Sequence, residues 1–174
     1  MDAKQLYRKL MEWLYIGCIV LSGCALILIT LIIPTGVFFR YVLNSPLSWP
    51  EPASIVMMVM FSFLGGAAVY RANVHIAVEA LLNAVAPNVR RVMRAGVVLC
   101  MVAMALFMLA YGINLCVITR FQSMAEFPVL SQAVVYLPIP VAGLLTLLFI
   151  VEKVWLGDPP KTSFMFHDQA AELE

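Results

Sequence analysis

Charge is scarce in this sequence. Of its 174 residues, 12% are charged and 63% are hydrophobic. A soluble domain carries about 25% charge and about 45–50% apolar residues. A water-soluble globular domain is thereby excluded, and the chain reads as an integral membrane protein. The net charge of +1, with no basic patch to follow a phosphate backbone, argues against nucleic acid as a partner. Histidine is nearly absent. His75 and His167 are the two present, which leaves no paired axial ligands for a haem inside a bundle. The four cysteines, Cys18, Cys24, Cys100 and Cys116, lie in apolar runs and form no C-x-x-C pair, so they read as small packing residues. No Ser-His-Asp set, phosphate-binding glycine loop or metal-ligand spacing is found. The expectation is therefore no enzyme activity, no catalytic or metal site, and no cofactor held by this chain. Charge is also missing from the middle of every apolar run. Carriers and pumps place ionisable groups there, so a self-contained ion-coupled carrier is disfavoured.

What is present is four uncharged windows, at 13–39, 52–70, 95–119 and 127–151. A helix needs about 20 apolar residues to cross the hydrocarbon core, so each window accommodates one crossing. The runs are continuously apolar and lack the alternation of barrel strands. The fold class is all-α, with four transmembrane helices and short interfacial helices. The first window follows Lys4, Arg8 and Lys9 but holds 27 uncharged residues. A signal peptide has an apolar stretch of about 7–15, so this one reads as an uncleaved helix, tilted because it exceeds the bilayer thickness. The chain divides into an N-terminal interfacial segment 1–12, a membrane domain 13–155 and a flexible tail 156–174. Within the membrane domain the helices fall at 13–39, 50–70, 92–119 and 131–155, with an interfacial helix at 73–86. Lys4, Arg8, Lys9, Arg71, Arg90, Arg91, Arg94, Lys153 and Lys161 fall on one side, against Arg40 and Arg120 on the other. The positive-inside rule then predicts cytoplasmic N- and C-termini.

The polar residues cluster at the window edges. Leu6, Leu10 and Met11 share one side of the first segment, which predicts a short helix lying in the interface; Trp13 and Tyr15 follow at headgroup depth. Pro34 is expected to bend the first crossing. Asn44-Ser45-Pro46 is turn chemistry, and Ser48-x-x-Glu51 matches a capping box before an apolar run. Glu51 has two readings. It simply caps the second crossing, where an anion is favoured, or it pairs with Arg40 across the hinge and fixes the angle between two helices. Further along, Ser62 and Gly65 share the face of Glu51, with Gly66 beside them, a flat patch suited to close packing. Arg71, His75 and Glu79 recur at i, i+4 and i+8 on the polar side of the expected 73–86 helix. Arg90, Arg91 and Arg94 are lipid-headgroup anchors. In the third crossing, Met101, Met104 and Met108 form a packing or lipid-facing stripe, and Asn114 is expected to hydrogen-bond between helices. Pro138 and Pro140 imply a bent or loosened fourth crossing, and Gly143 permits close packing.

Taken together, Phe39-Arg40-Tyr41-Val42-Leu43-Asn44, then Leu47-Ser48-Trp49-Pro50-Glu51, then Gly65-Gly66-Ala67 with Tyr70-Arg71, then His75-Ile76 resembles the small membrane subunit of tripartite ATP-independent periplasmic (TRAP) transporters, the DctQ-like family. The resemblance covers residues 10–155; the third and fourth crossings match in character more than in motif. It implies a multi-pass subunit of the bacterial inner membrane. The partners it implies are a large elevator-type membrane subunit, which carries the solute and sodium sites, and a periplasmic substrate-binding protein. It also implies sodium-driven uptake of a carboxylate or sugar acid, with this chain as scaffold and docking surface and itself binding no substrate. Arg40, Tyr41, Asn44, Trp49, Glu51, Gly65, Gly66, Arg71 and His75 become structural or partner-interface candidates. Two other readings stay open. One is a small four-helix exporter of the multidrug type, although those chains are shorter and rely on a membrane-embedded glutamate. The other is a membrane assembly subunit that transports nothing.

Overall fold

The computed structural model describes residues 3–72, 87–124, 127 and 131–156. They form α1 (Ala3–Tyr41), α2 (Pro50–Arg71), α3 (Pro87–Thr119), the single turn α4 (Ala133–Tyr136) and α5 (Pro138–Leu156). Four stretches are long and apolar enough to cross a membrane: Gln5–Tyr41, Pro50–Arg71, Val89–Thr119 and Ala133–Leu156. Among the described residues, extended pairing is limited to one isolated bridge between Ser123 and Ser131. An all-α bundle is the outcome that lipid imposes, because a helix satisfies its own backbone hydrogen bonds where water cannot.

The four crossings alternate in direction, and the end where α1 begins is here termed proximal. α1 packs on α2, α3 packs on α5, and α2 against α5 joins the two pairs; among the described residues α1 and α3 do not meet. The core sits in the proximal half. Met11, Tyr15 and Cys18 of α1 meet Leu64, Ala67, Ala68 and Tyr70 of α2 and Ala142, Leu145, Phe149 and Ile150 of α5. Beyond Ala25, the distal part of α1 buries no residue, and Leu31, Ile33, Val37 and Phe38 are exposed. Those side chains suit acyl chains or another protein and would not be tolerated in water.

Two glycines set the α3–α5 crossing. A Cβ on Gly143 would lie 2.9 Å from the Ala105 carbonyl and 3.0 Å from the Leu109 nitrogen, and one on Gly112 would lie 2.8 Å from Pro140 Cδ. The helix axes approach this closely because hydrogen is all that either glycine presents. The last crossing is interrupted at Leu137. Pro138 lacks the N–H that would bond the Val134 carbonyl, so α4 stops and α5 restarts with proline in its first turn. Ser131 closes the distal loop before it. Its hydroxyl donates to the Arg120 carbonyl at 2.7 Å and accepts from the Ala133 N–H at 3.2 Å.

Three expectations are corrected. Residues 3–12 are not a separate interfacial helix but the first turns of α1, which runs unbroken for 39 residues, about 58 Å at about 1.5 Å per residue. The reason is tertiary: the Tyr7 hydroxyl donates to the Leu148 carbonyl at 3.2 Å, and Arg8 Nη2 reaches the Leu156 carbonyl at 3.4 Å. These bonds clasp the segment to the end of α5, where a cation meets the negative end of the helix dipole. No capping box forms at 48–51, because Trp49, not Ser48, is the N-cap of α2 and makes no side-chain cap bond. Asn114 is exposed on α3 and bonds no other described helix, since the face that packs on α5 carries Gly112 and Ala105 instead. The expected helix at 73–86, with His75 and Glu79, and the tail from 157 lie outside the described residues.

Candidate functional site

α2 ends at the proximal face with Arg71, and the last turns of α5 carry Glu152. Both are buried: 8% of Arg71 and 2% of Glu152 is exposed. Arg71 Nε donates to Glu152 Oε2 at 2.8 Å and Nη2 donates to Oε1 at 2.9 Å. The two planar groups meet fork to fork, the strongest geometry available to a carboxylate and a guanidinium. The guanidinium lies 5.0 Å from the centre of the Tyr15 ring and 5.6 Å from that of Phe149, within cation–π range of both. Three crossings thus converge on one cation: α1 through Tyr15, α2 through Arg71 itself, and α5 through Phe149 and Glu152.

Around this pair the proximal face is bound by amphipathic side chains. Lys153 Nζ lies 5.6 Å over the Tyr70 ring, and the Tyr7 and Trp155 rings meet edge-on at 6.3 Å. The pair can neutralise and orient; its two hydrogen bonds occupy one edge of each group. Charge at this position is tolerable because it is paired and hydrogen-bonded; an isolated ion here would face a desolvation penalty of several kcal/mol.

The sequence singled out Arg71 but not its partner. Glu152 served only as the edge of an apolar window. One signal was there to read: Ala142, Leu145, Phe149 and Glu152 follow helical spacing, so the carboxylate continues the buried apolar stripe of α5. A charge on the packing side of a helix asks for an opposite charge on a neighbour.

The remaining candidates occupy two places. Arg40, Tyr41, Asn44, Trp49 and Glu51 all lie at the distal hinge, and each is exposed. Arg40 and Glu51 do not pair; Arg71 pairs with Glu152 instead. The hinge angle is held by apolar contact instead, because a Cβ on Gly36 would lie 3.0 Å from Pro50 Cβ. Asn44 has a local role. Its φ of 46° is left-handed, and the Ser45 N–H returns to the Phe39 carbonyl at 3.1 Å. That bond closes the turn after the helix end, and Asn, with its short polar side chain, is one of the few non-glycine residues that take this left-handed conformation. Glu51, in the first turn of α2, keeps the simpler of its two readings, an anion at a helix N-terminus.

The glycine patch splits. Gly65 faces α1, where a Cβ would be 3.5 Å from Ser22 Oγ, while Gly66 opens onto empty space. Ser22 Oγ is itself buried without a hydrogen-bond partner. Among the described residues no group of His, Cys, Asp and Glu could hold a metal ion.

No curated protein matches this sequence. The family model for the DctQ component of tripartite ATP-independent periplasmic transporters matches residues 29–158. That match spans the distal hinge, all of α2, α3 and α5, and both members of the buried ion pair. With most of its length inside the match and four helices able to cross a membrane, the chain belongs to the DctQ component family, as a multi-pass inner-membrane component of a TRAP transporter.

Proposed function

We propose that the chain is the scaffold subunit of a sodium-driven TRAP importer for a carboxylate or sugar acid. In this reading both termini are cytoplasmic, and the distal hinge with Arg40, Tyr41, Trp49 and Glu51 faces the periplasm. A large membrane subunit binds solute and sodium, and a periplasmic binding protein delivers the solute. This chain holds neither solute nor ion; it stiffens the assembly and offers docking surface.

The observation that carries the reading is the Arg71–Glu152 pair. The two buried charges consume each other through two short bonds at the membrane edge, which suits a mechanical pin better than a carboxylate-binding site. The exposed apolar faces of α1 and α3 supply area for a second membrane protein. The exporter alternative relies on a membrane-embedded glutamate, whereas Glu152 is neutralised by Arg71 and Glu51 lies exposed at the distal end.

The test is uptake in proteoliposomes. The large subunit, the binding protein and candidate carboxylates are combined under a sodium gradient, with and without this chain. Uptake should require the chain, and the purified chain alone should bind no solute. Solute binding or uptake by the isolated chain would sink the proposal.

A further inference from the structure

A groove of about 450 Å³ runs along the proximal half of α3, lined among the described residues by Arg91, Arg94, Ala95, Val98, Leu99 and Val102. It is shallow and open on one side, and its described wall is one face of α3. The lining residues recur at helical spacing on one face. Both cations stand at one end and the remaining four residues are apolar. From Arg91 to Val102 the helix rises about 16 Å, close to the depth of one leaflet of a hydrocarbon core about 30 Å thick. Among the described residues no carboxylate lines the groove beside the two guanidiniums, and both arginines are exposed.

We propose that this groove is a discrete site for one anionic phospholipid. The phosphate sits on Arg91 and Arg94, and an acyl chain lies along Ala95, Leu99 and Val102. Charge complementarity selects the headgroup, because two guanidiniums three residues apart can hold a phosphate from two sides. The apolar floor selects a lipid over a free phosphate, which would leave that floor unused. This goes beyond general anchoring of basic residues at a membrane surface, since it needs both halves of the site at once. It does not depend on the transport reading.

The experiment is native mass spectrometry of the purified full-length chain in detergent, titrated with phosphatidylglycerol or with phosphatidylcholine of the same acyl chains. The wild type should retain one phosphatidylglycerol in preference to phosphatidylcholine. Two cations at a membrane surface correspond to about thirtyfold in affinity, so the double variant R91Q/R94Q should weaken retention by about that factor. The charge-matched control R40Q/R120Q, at the distal end, should retain the lipid. Ala95→Phe keeps both cations but fills the groove, and should also lose the lipid. Glycerophosphate, which has the phosphate without the chains, should not displace it. Equal retention of the two lipids, an unchanged R91Q/R94Q, or loss in the distal control would overturn the headgroup assignment. Retention by Ala95→Phe, or displacement by glycerophosphate, would overturn the acyl groove.

Discussion

Replacing Arg71 with methionine leaves the Glu152 carboxylate buried, 2% exposed, without the guanidinium that holds both its oxygens. At a charge separation of about 4 Å and an effective dielectric constant of about 20, the lost attraction is about 4 kcal/mol. That agrees with the cost of about 3–5 kcal/mol for removing one partner of a buried pair. Glu152→Met should cost a similar amount, because Arg71 keeps its rings, Tyr15 and Phe149, but loses both short hydrogen bonds. The double variant R71M/E152M has no uncompensated charge, and methionine fills roughly the same volume against the same rings. Replacing both partners of such pairs with apolar residues is often neutral or better, so it should return to within about 1 kcal/mol of wild type. The coupling between the two sites is then at least about 5 kcal/mol, far above the few tenths expected of independent positions. Unfolding in mixed micelles of rising dodecyl sulfate fraction, followed by tryptophan fluorescence, measures all four proteins. If the double variant is as unstable as the sum of the singles, the two residues do not act as a pair and the reasoning fails. Arg71→Lys is a useful fifth point. It keeps the charge but loses the fork, and should fall between wild type and Arg71→Met.

Substitutions at four further positions test the packing and the hinge. Ser22→Ala removes a buried hydroxyl that has no partner, and should leave stability unchanged or raise it by up to about 1 kcal/mol; a loss above that in the same assay means the hydroxyl bonds something. Gly143→Ala places a Cβ 2.9 Å from backbone of α3 and should cost about 1–3 kcal/mol. Gly66→Ala, which meets nothing within 4 Å, should leave the isolated chain within about 0.5 kcal/mol of wild type; a similar loss at both glycines would contradict the crossing geometry. Asn44→Val puts a β-branched residue at φ 46° and should cost about 1–2 kcal/mol, whereas Asn44→Gly should be neutral or slightly stabilising. Thermal unfolding of the two variants separates a backbone role from a side-chain role.

The sequence by itself determined the number of crossings, their rough extents and the edges where charge collects. That is a local matter. A helix closes its hydrogen bonds within four residues, and lipid penalises any charge placed between the ends, so hydropathy along the chain reports directly on what spans the bilayer. Turn chemistry was equally local, and Asn44 sits in the left-handed position that its short polar side chain tolerates. Partnership was not legible in this way. Arg71 and Glu152 lie 81 positions apart, and each reads in sequence as an ordinary charge at a window edge. Arg40 and Glu51 look like a better pair because they are close along the chain, yet Gly36 against Pro50 holds that hinge and the two charges stay apart. The first turns of α1 have the pattern of a surface helix, and what carries them straight on is the end of α5, through Tyr7 and Arg8. Which charge is buried, which glycine is a contact and where α1 begins depend on how four similar apolar cylinders pack side by side. Apolar burial is non-directional and leaves that choice to shape, to a few hydrogen bonds and to one ion pair.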